Sequence, residues 1–160
     1  MKKFDSKRKG FTLVELLIVI VVIGILSAMM MLSSSEAVSS ARATTIVADL
    51  RNIKTAVLAY YTDHIDTADT TATPTMDLIK PYLTSGKEVK DDKLDGYALD
   101  ISTNNGWFVK YTISGTNVDK IKTKLVGRAA STGLLKEAKV PTTSDTRVYA
   151  GGDTVFMYVR

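Results

Sequence analysis

The sequence predicts an α+β protein in which a long N-terminal α-helix packs on a small antiparallel β-sheet of about four strands. Three observations support this class. Residues 11–32 are almost entirely apolar, and residues 33–65 continue without Gly or Pro. In that second stretch apolar side chains recur at three- and four-residue steps, which is the period of a helix. Residues 97–101 instead alternate in polarity, as half-buried strands do, and residues 107–113 follow a turn signal as a second strand.

The first segment is long enough to cross a membrane. Eighteen of the 22 residues in 11–32 are apolar, and as a helix they would span about 33 Å, close to the ~30 Å hydrocarbon core of a bilayer. The basic residues before it favour a cytoplasmic N-terminus. A cleaved secretory signal and a plain signal anchor are the alternatives, although the segment is longer than an ordinary signal core.

The net charge of +4 comes entirely from the N-terminal tip. Residues 1–10 hold five basic side chains and one acidic side chain, so residues 11–160 carry sixteen of each and no net charge. The chain contains no Cys, which excludes disulfides and thiolate metal sites. Its single His, His64, is predicted to be a surface or helix-end residue rather than part of a catalytic triad.

The second half of the long helix is amphipathic. Ile46, Leu50, Ile53 and Val57 fall on one face. We expect this face to cover one side of the sheet and to act as the spine of a globular head.

The head begins with a polar loop over residues 66–76. Asp77 is expected to cap a short helix that runs to Tyr82 or Leu83. Residues 85–96 are polar and charged, which predicts a loop.

Turn residues and a second helical pattern complete the head. A turn is predicted at Asn104-Asn105-Gly106, between the strands at 97–101 and 107–113. The remaining segments are a helix over about 118–131 capped by Thr116 or Asn117, an anchoring pair at Leu134 and Leu135, and a final hairpin of residues 146–150 and 154–159.

Glu15 is a carboxylate inside the apolar segment. Such a group costs on the order of 2.5–3.5 kcal/mol at the bilayer centre, and less near the edge, so it is normally paired. No basic side chain of the segment is available to it. An α-amino group would lie about one helical turn away if the chain were cut just before Phe11.

The run Lys9-Gly10-Phe11-Thr12-Leu13-Val14-Glu15-Leu16 resembles the class III signal of type IV prepilins and of type II secretion pseudopilins. The resemblance implies that a membrane prepilin peptidase and methyltransferase cuts after Gly10 and methylates the nitrogen of Phe11. It also implies that Glu15, together with Phe11, serves subunit assembly.

The resemblance further implies a pilin fold and a homo-oligomeric helical filament without cofactors, assembled by an inner-membrane platform. The residues expected to pack in the filament core are Leu13, Val14, Leu16, Leu17, Ile18, Ile20 and Val21. Gly24 is expected to give the helix flexibility. Many family members have Pro where this chain has Leu32, so we expect a more continuous helix here.

On this basis the chain is expected to comprise a leader (1–10), a transmembrane and filament-core helix (11–32), the amphipathic half of that helix (33–65) and a globular head (66–160). The predicted function is that of a structural, non-enzymatic subunit of a type IV pilus filament. The precursor would sit in the cytoplasmic membrane and the assembled filament outside the cell. The alternatives are a type II secretion pseudopilin and a membrane-anchored extracytoplasmic binding protein.

Two further interpretations are weaker. Asp91, Asp92 and Asp95 suggest calcium, but their spacing does not fit an EF-hand, and a solvated charged loop is the preferred interpretation. The basic residues in and after the second helix suggest nucleic acid, but the balanced charge of residues 11–160 favours a solvated face; they are Lys120, Lys122, Lys124, Arg128, Lys136 and Lys139.

Overall fold

The structure is a computed structural model that describes residues 10–65, 73–83, 89–90, 93–94, 96–102, 106–141 and 147–160. Its helices are α1 (Leu13–His64), α2 (Met76–Ile79) and α3 (Val118–Thr132), with a 3-10 turn at Lys80–Tyr82. Its strands are β1 (Val89–Lys90), β2 (Lys93–Leu94), β3 (Tyr97–Ser102), β4 (Gly106–Thr112), β5 (Leu134–Leu135) and β6 (Thr154–Tyr158). The predicted α+β class is confirmed.

Helix α1 is continuous over 52 residues, as the apolar and amphipathic patterns predict. The chain divides into two compact units, Met1–Ala37 and Val38–Arg160. The second unit contains the amphipathic part of α1, the sheet and the other helices. The proposed division into leader, membrane helix, amphipathic helix and head stays a prediction.

The sheet is antiparallel throughout, with the strand order β1-β2-β3-β4-β6-β5. Its centre is formed by β3, β4 and β6, which have six, seven and five residues. In the register Val109 on β4 pairs with both Leu99 on β3 and Met157 on β6. The other three strands have two residues each. Strands β1 and β2 lie at one edge and β5 at the other, so the sheet has six strands where about four were predicted.

The hydrophobic core of the second unit lies between α1, α3 and the sheet. On α1 the predicted apolar face is buried: Ile46, Leu50, Ile53 and Val57 have at most 5% of their surface exposed. They pack in one cluster with side chains of the sheet and α3, which include Val109, Val155, Met157, Ile121 and Leu125. Burial of each such side chain contributes roughly 1.5–3 kcal/mol, which explains why α1 is held on the sheet.

Polar contacts add directional links between α1 and the rest of this unit. Arg128 on α3 donates to the hydroxyls of Thr44 and Ser40, at 2.5 and 3.2 Å. Arg42 donates to the carbonyl of Thr116 at 3.4 Å. Because these residues lie on opposite elements, the bonds oppose rotation of α1 about its own axis.

Of the predicted helix caps, Asp77 was wrong, and Asn117 is the N-cap residue of α3 without a capping side chain. Thr75, not Asp77, caps α2, because Thr75 is extended (φ −101°, ψ 163°) and its hydroxyl accepts from the amide of Leu78 at 3.4 Å. Asn117 does precede α3, but its side chain makes no capping bond, because its backbone is left-handed at φ 60°.

The strands also differ from the prediction at two places. The segment expected to be a loop over 85–96 contains the short pair β1 and β2. The expected final hairpin does not form, because β5 lies beside β6 and Val148 bridges to Leu135 on β5 instead. Leu134 and Leu135 are buried, so inserting them beside β6 completes the core.

Glycine is required at Gly106, where β4 begins. Its φ is +87°, and a Cβ there would lie 2.9 Å from both the carbonyl oxygen of Arg160 and the ring of Tyr158. Gly106 is the described residue of the predicted turn, whereas Asn104 and Asn105 lie outside the described residues.

Candidate functional site

The candidate site is the start of α1, where the predicted cleavage and assembly residues fall together. The helix begins at Leu13, and its first backbone bond runs from the amide of Leu16 to the carbonyl of Thr12 at 3.2 Å. Gly10, Phe11 and Thr12 precede the helix. The peptide bond between Gly10 and Phe11 is therefore outside regular structure and two residues before the first turn.

Thr12 and Glu15 form a reciprocal capping box. The amide of Glu15 donates to Oγ1 of Thr12 at 3.2 Å, while the amide of Thr12 donates to Oε2 of Glu15 at 2.9 Å. The hydroxyl of Thr12 also donates to Oε2, at 2.8 Å. A capping box satisfies backbone donors that an α-helix leaves without partners at its start, and a carboxylate there is further favoured by the helix dipole.

The charge of Glu15 does not predict Thr12 as its partner. A carboxylate in an apolar segment favours a cation as partner, and the side chains of this segment include none. The signal was present in the sequence as the spacing Thr-x-x-Glu immediately before an apolar run, which predicts a capping box. Glu15 thus has an intrachain partner for one of its oxygens, and its pairing with another subunit stays a prediction.

Gly10 and Phe11 are open to a partner. A Cβ built on Gly10 meets none of the described residues within 4 Å, so these residues impose no steric demand for glycine there. The side chain of Phe11 is 86% exposed. A demand for glycine before the bond is therefore expected from the enzyme that cuts it.

The helix after the capping box is apolar on every side. Over residues 11–31 the large hydrophobic side chains have between 48% and 86% of their surface exposed. Within the described part of the chain, α1 is the one helix whose length and composition would allow it to cross a membrane. The predicted packing residues Leu13, Val14, Leu16, Leu17, Ile18, Ile20 and Val21 all belong to this exposed surface.

Gly24 lies inside this apolar stretch, and α1 passes through it without a break. A Cβ at Gly24 would meet nothing within 4 Å. A glycine in a helix interior lowers helix stability by about 1 kcal/mol relative to Ala. No close contact among the described residues of the single subunit explains why a glycine stands at this position. Its role in helix flexibility stays a prediction.

A cleft of about 340 Å³ lies in the head between α1, the sheet and the loop before α3. Asp49 lies within it and is 9% exposed, and the hydroxyl of Tyr97 donates to its carboxylate at 3.0 Å. Arg42 lines the cleft and donates to the Thr116 carbonyl. These charged side chains are engaged in holding α1 to the head.

His64 is the last residue of α1. Its Nδ1 lies 2.8 Å from the carbonyl oxygen of Tyr60, and its ring stacks on that of Tyr60 with centroids 4.2 Å apart. Nearby, the hydroxyl of Tyr82 donates to Asp63 at 2.7 Å, which raises the pKa of Tyr82. These contacts close the end of the helix.

Two of the basic residues are held by other elements. Lys122 pairs with Asp153 at 2.7 Å, and Arg128 contacts α1. The ammonium of Lys122 lowers the pKa of Asp153 chiefly through its hydrogen bond and then through its charge. The three aspartates considered for calcium binding, Asp91, Asp92 and Asp95, lie outside the described residues.

Two family models match the chain. Residues 5–31 match the prokaryotic N-terminal methylation motif, a region that includes Gly10, Phe11 and Glu15. Residues 37–122, more than half of the chain, match the model described as PilW, C-terminal. No curated protein and no solved structure matches the chain.

Proposed function

The chain belongs to the type IV pilin-like family that the PilW C-terminal model describes, and on this premise we propose that it is a structural subunit of a type IV pilus filament. Its methylation motif implies processing by a prepilin peptidase and pilus assembly. Its apolar N-terminal helix fits a membrane-anchored precursor. Both matching families are of the structural, pilin type.

One observation supports the filament role most strongly, namely the exposed apolar surface of residues 11–31. Burying a side chain such as Leu or Ile contributes roughly 1.5–3 kcal/mol, so a helix with this surface is stable in lipid or against other apolar helices and not in water. In the precursor, the lipid of the membrane covers this apolar surface. In the filament, the equivalent helices of neighbouring copies cover it.

Processing makes the switch between these two states. Water hydrolyses the bond between Gly10 and Phe11, which leaves a carboxylate on Gly10 and an ammonium on Phe11. The net +4 charge of residues 1–10, which favours a cytoplasmic N-terminus, is removed with the leader. A methyl-donor cosubstrate of the enzyme then transfers one methyl group to the unprotonated Phe11 amine, which loses one N–H proton and becomes a secondary amine that is positively charged when protonated.

Glu15 is then the partner for the new ammonium. Thr12 occupies Oε2, and no hydrogen bond to Oε1 is found among the residues that the structure describes. The ammonium of an adjacent copy therefore has an acceptor at Oε1. Because both charges must leave water, the pair contributes more to the axial register of the subunits than to raw stability.

The test is to isolate surface fibres from cells that express this chain and to measure the mass of the chain in them. The proposal predicts fibres that contain a chain beginning at a methylated Phe11. A chain of that mass without surface fibres would instead favour the secretion pseudopilin, and a chain that retains Met1 would favour the membrane-anchored binding protein.

A second candidate is a minor subunit of the same filament, favoured by the match to the PilW model because PilW is a minor pilin-like component. A principal subunit repeats along the whole fibre, whereas a minor subunit occurs at few positions. Quantitative mass spectrometry of purified fibres separates the two. The chain as the dominant protein favours the principal subunit, and a small fraction favours the minor one.

A further inference from the structure

Thr12 makes two bonds to the same oxygen of Glu15. Its amide and its hydroxyl donate to Oε2 at 2.9 and 2.8 Å. We propose that Thr12 is a positioning residue for subunit assembly, which fixes the carboxylate by Oε2 so that Oε1 receives the ammonium of a neighbouring copy. This inference rests on the proposed filament function and assigns to the Thr12 hydroxyl a role beyond capping.

The physical reason lies in the flexibility of a glutamate side chain. A free Glu side chain populates many rotamers, and ordering them opposes any contact that needs one rotamer. The Thr12 bonds select one arrangement before the neighbour arrives. They also give the carboxylate charge-assisted bonds in apolar surroundings, where an unbonded charge is costly.

The hydroxyl and the amide of Thr12 are separable by mutation. The amide belongs to the backbone and stays in every variant, whereas the hydroxyl belongs to the side chain. Valine has the branched shape of threonine without the hydroxyl, and serine keeps the hydroxyl. In residues 11–35 Glu15 is the only charged side chain, and after cleavage the ammonium of Phe11 is the other charge of this segment. A variant that changes Glu15 as well as Thr12 therefore shows whether the Thr12 hydroxyl acts through Glu15.

The experiment co-expresses each variant with the wild-type chain and measures, by mass spectrometry of purified fibres, the ratio of variant to wild type. The same ratio in the membrane pool is the reference. We expect Thr12→Val to be incorporated about three- to tenfold less than wild type, as the loss of one hydrogen bond to the carboxylate would give. Thr12→Ser is expected to restore incorporation to within about twofold.

A double variant separates positioning from simple helix capping. Glu15→Gln keeps a side-chain oxygen that can complete the capping box but lacks the charge that binds an ammonium. If Thr12 acts through that charge, Thr12→Val combined with Glu15→Gln is incorporated as well as Glu15→Gln alone. A further loss as large as that caused by Thr12→Val in the native background would show that capping alone is responsible and would overturn the inference.

The remaining outcomes distinguish the two proposals. If the wild-type chain is found in fibres and Thr12→Val is incorporated equally well, the positioning role is overturned and the filament function stays in place. Wild-type chain in the membrane and never in fibres overturns both.

Discussion

The hydroxyl of Tyr97 on β3 donates a 3.0 Å hydrogen bond to the carboxylate of Asp49 on α1, in the buried interior of the head. The two residues are 48 positions apart in the sequence. Because a charged group away from water depends on its donors, this bond ties one rotational setting of α1 to the sheet. The contact belongs wholly to the unit Val38–Arg160.

Removal of residues 1–38 is expected to leave a soluble, folded monomer. The hydrophobic core is formed by residues from Ala43 onward, and the exposed apolar surface of residues 11–31 is lost with the deletion. Size-exclusion chromatography and circular dichroism through thermal unfolding check this. An aggregated product, or one without a cooperative transition, would count against a head that folds by itself.

Tyr97→Phe is expected to destabilise the same truncated protein by about 1–3 kcal/mol, because it removes a donor from the buried carboxylate of Asp49. The measurement is the free energy of unfolding in urea. Tyr158→Phe is the matched control, since in the described part of the chain no hydrogen bond involves the Tyr158 hydroxyl. Equal losses in the two variants would show that the Tyr97–Asp49 bond contributes nothing of its own.

Gly10→Val is expected to leave an uncut precursor that still inserts in the membrane. A Cβ at Gly10 meets none of the residues that the structure describes, so the substitution is expected to disturb the fit of the cleavage site in the peptidase. Intact-mass measurement of the membrane fraction checks whether residues 1–10 remain. Gly24→Ala is the control, because Gly24 is also free of close neighbours but lies away from the bond. Wild-type amounts of a chain that begins at Phe11 would contradict the assigned site.

The stability of the head is expected to fall between pH 10 and pH 12 through Tyr149. Burial, followed by the charge of Asp153, raises the pKa of Tyr149 from 10.0 to about 12. Its hydroxyl donates to the carbonyl of Gly152 at 2.6 Å, so the folded state favours the neutral form. The contribution is fully present below the unfolded pKa and is lost as pH rises through the folded pKa.

Urea unfolding of the native head and of Tyr149→Phe across this pH range checks the assignment. The difference in unfolding free energy between the two proteins should shrink above pH 10, since the variant has no phenol at this position to ionise. Other groups, including Tyr82, titrate in both proteins and cancel in the difference. A constant difference from pH 8 to pH 12 would contradict the role of Tyr149.

Much of the fold could be predicted because the long elements repeat their pattern many times. Helix α1 shows the helical period at Ile46, Leu50, Ile53 and Val57, and all four are buried. Strands β3 and β4, which the sequence predicts on either side of a turn, occupy Tyr97–Ser102 and Gly106–Thr112. In these elements local preference and tertiary burial favour the same structure.

The short strands could not be predicted for the opposite reason. Two residues, such as Leu134–Leu135, are too few to show alternation, and their pairing with β6 depends on residues about twenty positions away. The position of β5 also decides that Val148 pairs with Leu135 rather than with β6. Such choices are made by the packing of the whole head and not by the local sequence.

The candidate site was predictable in part. The signal around Gly10, Phe11 and Glu15 is compact in sequence, so its residues could be identified without a structure. The capping partner Thr12 lies in the same run, but the charge of Glu15 predicts a cation as its partner and not a hydroxyl. Which oxygen of Glu15 remains without a bond depends on side-chain geometry that no pattern contains.

The most direct measurement of the central claim is a near-atomic cryo-electron microscopy map of fibres purified from cells that express this chain. The account predicts that residues 11–31 of each copy lie in the fibre interior, with Oε1 of Glu15 within hydrogen-bonding distance of the Phe11 nitrogen of an adjoining copy. A fibre built without this chain, or a Glu15 carboxylate that faces only hydrocarbon while the terminal nitrogens lie elsewhere, would contradict it.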